Sequence, residues 1–231
     1  MNTQHYFKVT RDALLAACLA VVLLGTTFFL VEPKVSQAVD SGPFTIKQTI
    51  LDEISFLVEA NDVTMTGSLN GITGGTANGS TTAVVQTNSS TGYEMTIAFF
   101  NNGTSEAMRG DTSLSSSIRD YPASGGQPTF LFSTASSAAV FGYTVEAADS
   151  SDLDQSFMSD AGVCNTGSDT LTDRCWMEPT VAPFQIIDRT SAATSGATTT
   201  VYFRVHVPNA PSPSLIADVY TATATLTALN Q

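Results

Sequence analysis

The chain is short of positive charge. Lys and Arg together number 9 against 21 Asp and Glu, giving a formal net charge of −12. Such a balance repels phosphate backbones and anionic lipid surfaces, since nucleic-acid binding draws most of its affinity from cationic contacts. Nucleic acid is therefore excluded as a partner. Histidine is almost missing as well, with 2 in the chain and only His206 beyond the N-terminal region. No Gly-x-Ser-x-Gly elbow, His-Glu-x-x-His pair or phosphate-cradling glycine loop is present, so an enzyme is not expected. A carboxylate pair assembled by folding is the one hydrolytic arrangement left open. His206 lies between Val205 and Val207 and reads as a solvent-facing strand residue rather than a general base. Charged residues make up only 13% of the chain, low for a globular domain, while Thr, Ser, Gly and Ala dominate.

Against these absences stands one long apolar run, Ala13 to Val31, with no charge in it. Lys8 and Arg11 precede it, and Ser36-Gln37-Ala38 follows as a small-x-small cleavage pattern. A basic lead, an apolar core and a small-residue exit are what the secretion machinery reads, so residues 1–38 belong to targeting. Gly25-Thr26-Thr27 interrupts the run and Pro33 stops a helix before the cleavage site, which favours cleavage. The competing reading is an uncleaved membrane anchor, because the run approaches the ~20 residues that span a bilayer. A third is a lipidated cysteine in Leu15-Ala16-Ala17-Cys18, although few apolar residues precede Cys18 and the run continues well beyond it. Each reading places residues 39–231 outside the cytoplasm, secreted or on the cell surface. No Leu-Pro-x-Thr-Gly signal or apolar tail occurs near Gln231, so any tether is expected at the N-terminus.

Residues 1–38 hold Lys8, Arg11, Lys34, Asp12 and Glu32, which leaves the exported part with 6 basic and 19 acidic residues. Two cysteines remain in it, Cys164 and Cys175. An even count in an oxidising compartment reads as one disulfide, contributing roughly 3 kcal/mol on the chain-entropy model. A zinc site wants four ligands, and His206 is far along the chain.

Period-two alternation recurs from residue 54 onward. In 93–100, Tyr93, Met95, Ile97 and Phe99 share one face, and in 201–207 the inward set is Val201, Phe203, Val205 and Val207. In 220–227, Tyr220, Ala222, Ala224 and Leu226 alternate with four threonines. Further strands are expected at 44–47, 63–69, 82–87, 129–133, 140–146 and 184–188. Residues 50–58 fit both a helical stripe and a strand, and a strand is chosen. Asn70-Gly71, Asn78-Gly79 and Asn102-Gly103 supply turn chemistry. The expected fold class is all-β, an antiparallel sandwich behind an N-terminal signal or anchor helix. Residues 101–139 and 147–183 read as long loops, the places where recognition would reside.

The stretches 52–56, 63–67 and 87–93, together with His206-Val207-Pro208 and Ala217-Asp218-Val219-Tyr220-Thr221-Ala222-Thr223, resemble secreted bacterial surface proteins of the spore-coat-U-like, WxL-like and pilin-like kinds. The resemblance covers about two thirds of the exported part and implies an immunoglobulin-like sandwich. The chain departs from the pattern in having Asp218-Val219 where a glycine often precedes the tyrosine, and in lacking a Trp-x-Leu pair.

Candidate site residues are few. Asp149, Asp152 and Asp154, with Asp160 nearby, form a cluster of hard oxygen donors for calcium, although the spacing is not that of an EF-hand; a solvated acidic loop is the plainer reading. Asp169 and Asp173 have the same standing. Beyond calcium no cofactor is expected. Tyr121, Phe157 and Trp176 lie on the long loops and could stack on a sugar ring, whereas a tryptophan beside a cystine is commonly core. Asn78-Gly79-Ser80, Asn88-Ser89-Ser90 and Asn102-Gly103-Thr104 are glycosylation patterns whose use depends on the host. The function expected is a non-catalytic, exported structural protein, a fibre or coat subunit that self-associates when residues 39–49 add a strand to a neighbour's sheet edge. The alternative is a module binding a surface glycan or protein through its long loops.

Overall fold

The computed structural model describes residues 3–30, 43–101, 106–122, 125–132 and 137–231. They fall into two compact units, Met1–Thr49 and Ile50–Gln231. The first holds the helix α1 (Thr3–Leu30). Among the described residues no helix is long and apolar enough to cross a membrane; the side chains described in α1 are those of residues 11–26, so the apolar run of the sequence continues past them. Ser36-Gln37-Ala38 lies outside the described residues. No strand forms at 44–47, contrary to expectation, because isolated strands leave their backbone N–H and C=O groups without partners.

The second unit is all-β. Its strands are β1 (Ile54–Val58), β2 (Gly75–Thr87), β3 (Tyr93–Phe100), β4 (Met108–Gly110), β5 (Ser117–Asp120), β6 (Thr129–Phe130), β7 (Val140–Ala147), β8 (Ser159–Asp160), β9 (Val163–Cys164), β10 (Cys175–Trp176), β11 (Phe184–Arg189), β12 (Ala193–Val207), β13 (Tyr220–Thr221) and β14 (Thr223–Asn230). Seven form one sheet in the order β1-β2-β12-β7-β5-β4-β13, three form another in the order β11-β3-β14, and β10-β6 and β8-β9 are short ribbons. The larger sheet curls into a half-barrel. Its β5–β7 pair is parallel, whereas β1, β2, β12 and β7 pair antiparallel.

The two sheets share one core. From the small sheet come Tyr93, Met95, Ile97, Phe99, Ile186 and Ile187; from the large one come Val85, Phe141, Tyr143, Val145, Val201 and Val205. Phe99 stands between the layers, 5.3 Å from Tyr143 and 6.0 Å from Phe141 between ring centroids. Full burial of each such side chain contributes about 1.5–3 kcal/mol. The strand order is its own. Labelled A to G in chain order, β1, β2, β3, β7, β11, β12 and β14 give A-B-F-D and E-C-G, whereas the immunoglobulin order is A-B-E-D and C-F-G.

Several expected elements change extent. The segment 50–58 does contain a strand, β1, and not a helix. The strand expected at 63–69 shrinks to a single bridge from Thr66 to Asn78, and that at 129–133 to β6. Residues 220–227 divide at Ala222, where the chain passes from β4 in the large sheet to β3 in the small one. The supposed loops 101–139 and 147–183 contribute strands and core side chains: Ala107, Met108, Ile118 and Tyr121 from the first, Leu153, Phe157 and Met177 from the second. Their strands are two to four residues long, too short for a period to register.

Candidate functional site

The three candidate calcium ligands are each given separate work. Asp149 and Asp154 cap successive 3-10 turns, accepting from the Ser151 amide at 3.1 Å and the Ser156 amide at 2.9 Å. The Ser151 hydroxyl and the Ser151 amide together hold the Asp149 carboxyl below its usual range. Asp152 is buried and ion-paired with Arg189, yet burial outweighs the guanidinium and raises its carboxyl. Asp169 accepts from the Leu171 amide, and Asp173 pairs with Arg204 at 2.8 Å. Among the described residues no group of three or more His, Cys, Asp or Glu side chains converges on a common point. The Asx spacing that suggested a metal loop is the spacing of consecutive turn caps.

Cys164 and Cys175 form a disulfide that ties β9 to β10. Tyr121 and Trp176, the candidate sugar-stacking rings, are 1% and 2% exposed and pack with Val140 and Phe132. Phe132 stacks on Tyr121 at 4.8 Å and meets Trp176 edge-on at 4.9 Å. Arg204 covers Trp176 at 4.5 Å and is itself held by Asn78 and Asp173. Gly142 is what lets Tyr121 lie on the sheet, for a Cβ there would stand 2.8 Å from that of Tyr121. The rings are thus a second, small core, with no face free to stack on a sugar. Phe157 is buried in the main core. The expected outward residue His206 meets Thr76 across the strands at 3.0 Å.

The sheet edges differ sharply in protection. Along β11, Leu153 bridges to Ile187 and the Asp154 amide donates to the Ile186 carbonyl. β13 is two residues long and lies against Asp218, whose carboxylate accepts from the amides of Ser113, Thr112 and Val219 and is held below its usual range by them. β1 is five residues long, breaks register between Phe56 and Val58 and is flanked by Glu53 and Glu59. β14 has none of these devices: eight residues, Thr-Ala-Thr-Leu-Thr-Ala-Leu-Asn, without charge, proline or a register break. Natural sheets blunt their edges with charge, shortness, bulges or cover, because an open row of N–H and C=O groups templates another strand.

Compared with protein-family models, with curated proteins and with solved structures, the chain has no match.

The inward face beside β14 is incompletely closed. Leu226 and Ala228 are half-buried and Ala224 is exposed, while Ile54 and Phe56 of the neighbouring β1 are also half-buried. The far end is tied: Thr87 Oγ1 bonds both the Glu53 carbonyl at 2.8 Å and Asn230 Oδ1 at 2.7 Å. Asn88 then clamps the incoming chain, accepting from the Glu53 amide at 2.6 Å and donating to the Leu51 carbonyl at 3.0 Å. The alternation of 220–227 marks this strand in the sequence. That no strand among the described residues pairs with its outer edge is a tertiary fact that alternation does not carry.

Proposed function

We propose that the chain is a non-catalytic, exported structural protein of the cell surface, the subunit of a fibre or coat that associates by strand addition. The observation that carries this reading is the edge of β14: eight residues, uncharged and, among the described residues, with no strand paired to its outer side, where the other ends of the two main sheets are short, bulged or capped. An edge of that kind in a lone protein is an aggregation hazard, and in a subunit it is the joint. The low cationic content and the basic-apolar-small N-terminus favour export, with residues 1–38 as a leader cut after Ala38. Intact mass of protein from the native envelope distinguishes release at Val39 from retention of residues 1–38 as an anchor. The layering, two sheets on one core, favours kinship with immunoglobulin-like surface subunits of the coat and pilin kinds, with a rearranged strand order. Burial of Tyr121 and Trp176 removes the rings on which the glycan-binding alternative relied. Size-exclusion chromatography and electron microscopy of the exported chain test the reading: concentration-dependent assemblies are expected, and a strict monomer at high concentration overturns it.

A further inference from the structure

We propose that the strand added to β14 is residues 44–51 of a second copy of this chain, so that copies join head to tail. This rests on reading β14 as a strand-addition edge. Three observations support the choice of occupant. In an extended chain Phe44, Ile46, Gln48 and Ile50 fall on one face at period two, and the three apolar members are 83, 83 and 82% exposed. Single exposed apolar side chains are ordinary, but a set at strand spacing, on a segment with no regular structure, is a strand without a sheet.

The fit to β14 is the second observation. Residues 44–51 match its eight residues in length. The inward residues of β14 are Ala224, Leu226 and Ala228, two of them small, so the larger Phe44, Ile46 and Ile50 would complete the half-closed core beside Ile54 and Phe56. On the other face Thr45 and Thr49 would extend the row of Thr223, Thr225 and Thr227, and cross-strand threonine pairs are favourable.

Charge is the third. On the outer face of the small sheet Asp188 stands directly opposite Glu94, a like-charge pair. Lys47, the one lysine beyond residue 38, falls on that same face of the added segment, with β14 between it and Glu94, so it offsets the acidic face at the range of two to three strand spacings and not as a direct pair. A second copy is favoured over the segment's own β14 by direction. Asn88 and Thr87 fix residues 51–53 at the Asn230 end, so in its own molecule the segment could run along β14 only in parallel. A neighbour can supply it antiparallel, the more stable pairing. Donor and acceptor are different surfaces, so the contact is heterologous and propagates.

The test uses the full chain as its host processes it, in three forms: wild type, the donor variant Phe44→Asp/Ile46→Asp, and the acceptor variant Thr225→Lys/Thr227→Lys. All four positions are exposed. Light scattering after size exclusion gives mass against concentration, and a thermal melt checks the fold; if the acceptor variant melts low, Leu229→Lys at a 54% exposed position replaces it. Wild type is expected to grow with concentration, each variant to lose association, and their equimolar mixture to form a dimer and stop there. Variants that associate like wild type overturn the proposal while leaving strand addition as a reading. So does a mixture that stays monomeric while wild type grows. A monomeric wild type removes both.

Discussion

Asp120 at the end of β5 accepts from the Ala107 amide at 3.0 Å, while its own amide donates to Glu106 Oε2 at 2.6 Å. Burial, with Glu106 and Glu178 adding to it against the Ala107 bond, pushes its carboxyl from 3.8 up to about 7. Between those values the folded protein keeps a proton that the unfolded chain has released. Stability therefore falls as pH rises from about 4 to about 7 and levels off beyond. Asp120→Asn keeps the acceptor for Ala107 and removes the titration. Its melting temperature should exceed wild type at pH 8 and converge with it near pH 4; parallel curves across that range would show that Asp120 ionises normally. Trp176 makes a second case at this scale. Its ring is buried and its Nε1 has no hydrogen-bond partner among the described residues, so Trp176→Ala should cost about 3–5 kcal/mol in urea unfolding, a core truncation and not the loss of a ligand contact. A cost under 1 kcal/mol would contradict the packing of the small core.

At the scale of elements, the disulfide between β9 and β10 closes a short loop, with the cysteines 11 apart in sequence. Reduction, or Cys164→Ser with Cys175→Ser, should lower stability by about 3 kcal/mol. The midpoint of guanidinium unfolding with and without reductant measures it, and no change would mean the loop is held by packing alone. The turn into β3 depends on Gly92, whose φ is +85° and where a Cβ would stand 1.9 Å from the Arg189 carbonyl oxygen. Gly92→Ala should destabilise by about 2 kcal/mol or more, because neither the conformation nor the space admits a side chain; a melt within 1 °C of wild type would contradict it. These elements also show what the sequence carries. β3 is legible because a long half-buried strand imposes a period of two on its residues, whereas β7 is buried on both faces over its first six residues and shows as a run of apolar and small residues. The long reach of β12 was legible only from Val201 on, since its first half bends through Gly196, at φ +91°, where the register with β2 slips. Strands β4, β5 and β8 to β10 leave no trace in the sequence because two to four residues show no period. Asp149, Asp152 and Asp154 stand close in sequence, and spacing along a chain does not distinguish metal ligands from turn caps or an ion-pair partner.

For the whole molecule, the distinguishing feature is the pattern of its sheet edges. Among the described residues three ends of the two main sheets are guarded and one is not, and the unguarded one is the most regular. Backbone amides on the outer side of β14 should therefore exchange quickly in dilute protein and slowly once a neighbour's strand is in place. Hydrogen exchange resolved to residues 223–230, followed as protein concentration is raised, measures that directly. Protection of alternate amides that grows with concentration is the result predicted; exchange that is the same at every concentration, in a protein whose other strands remain protected, would contradict it.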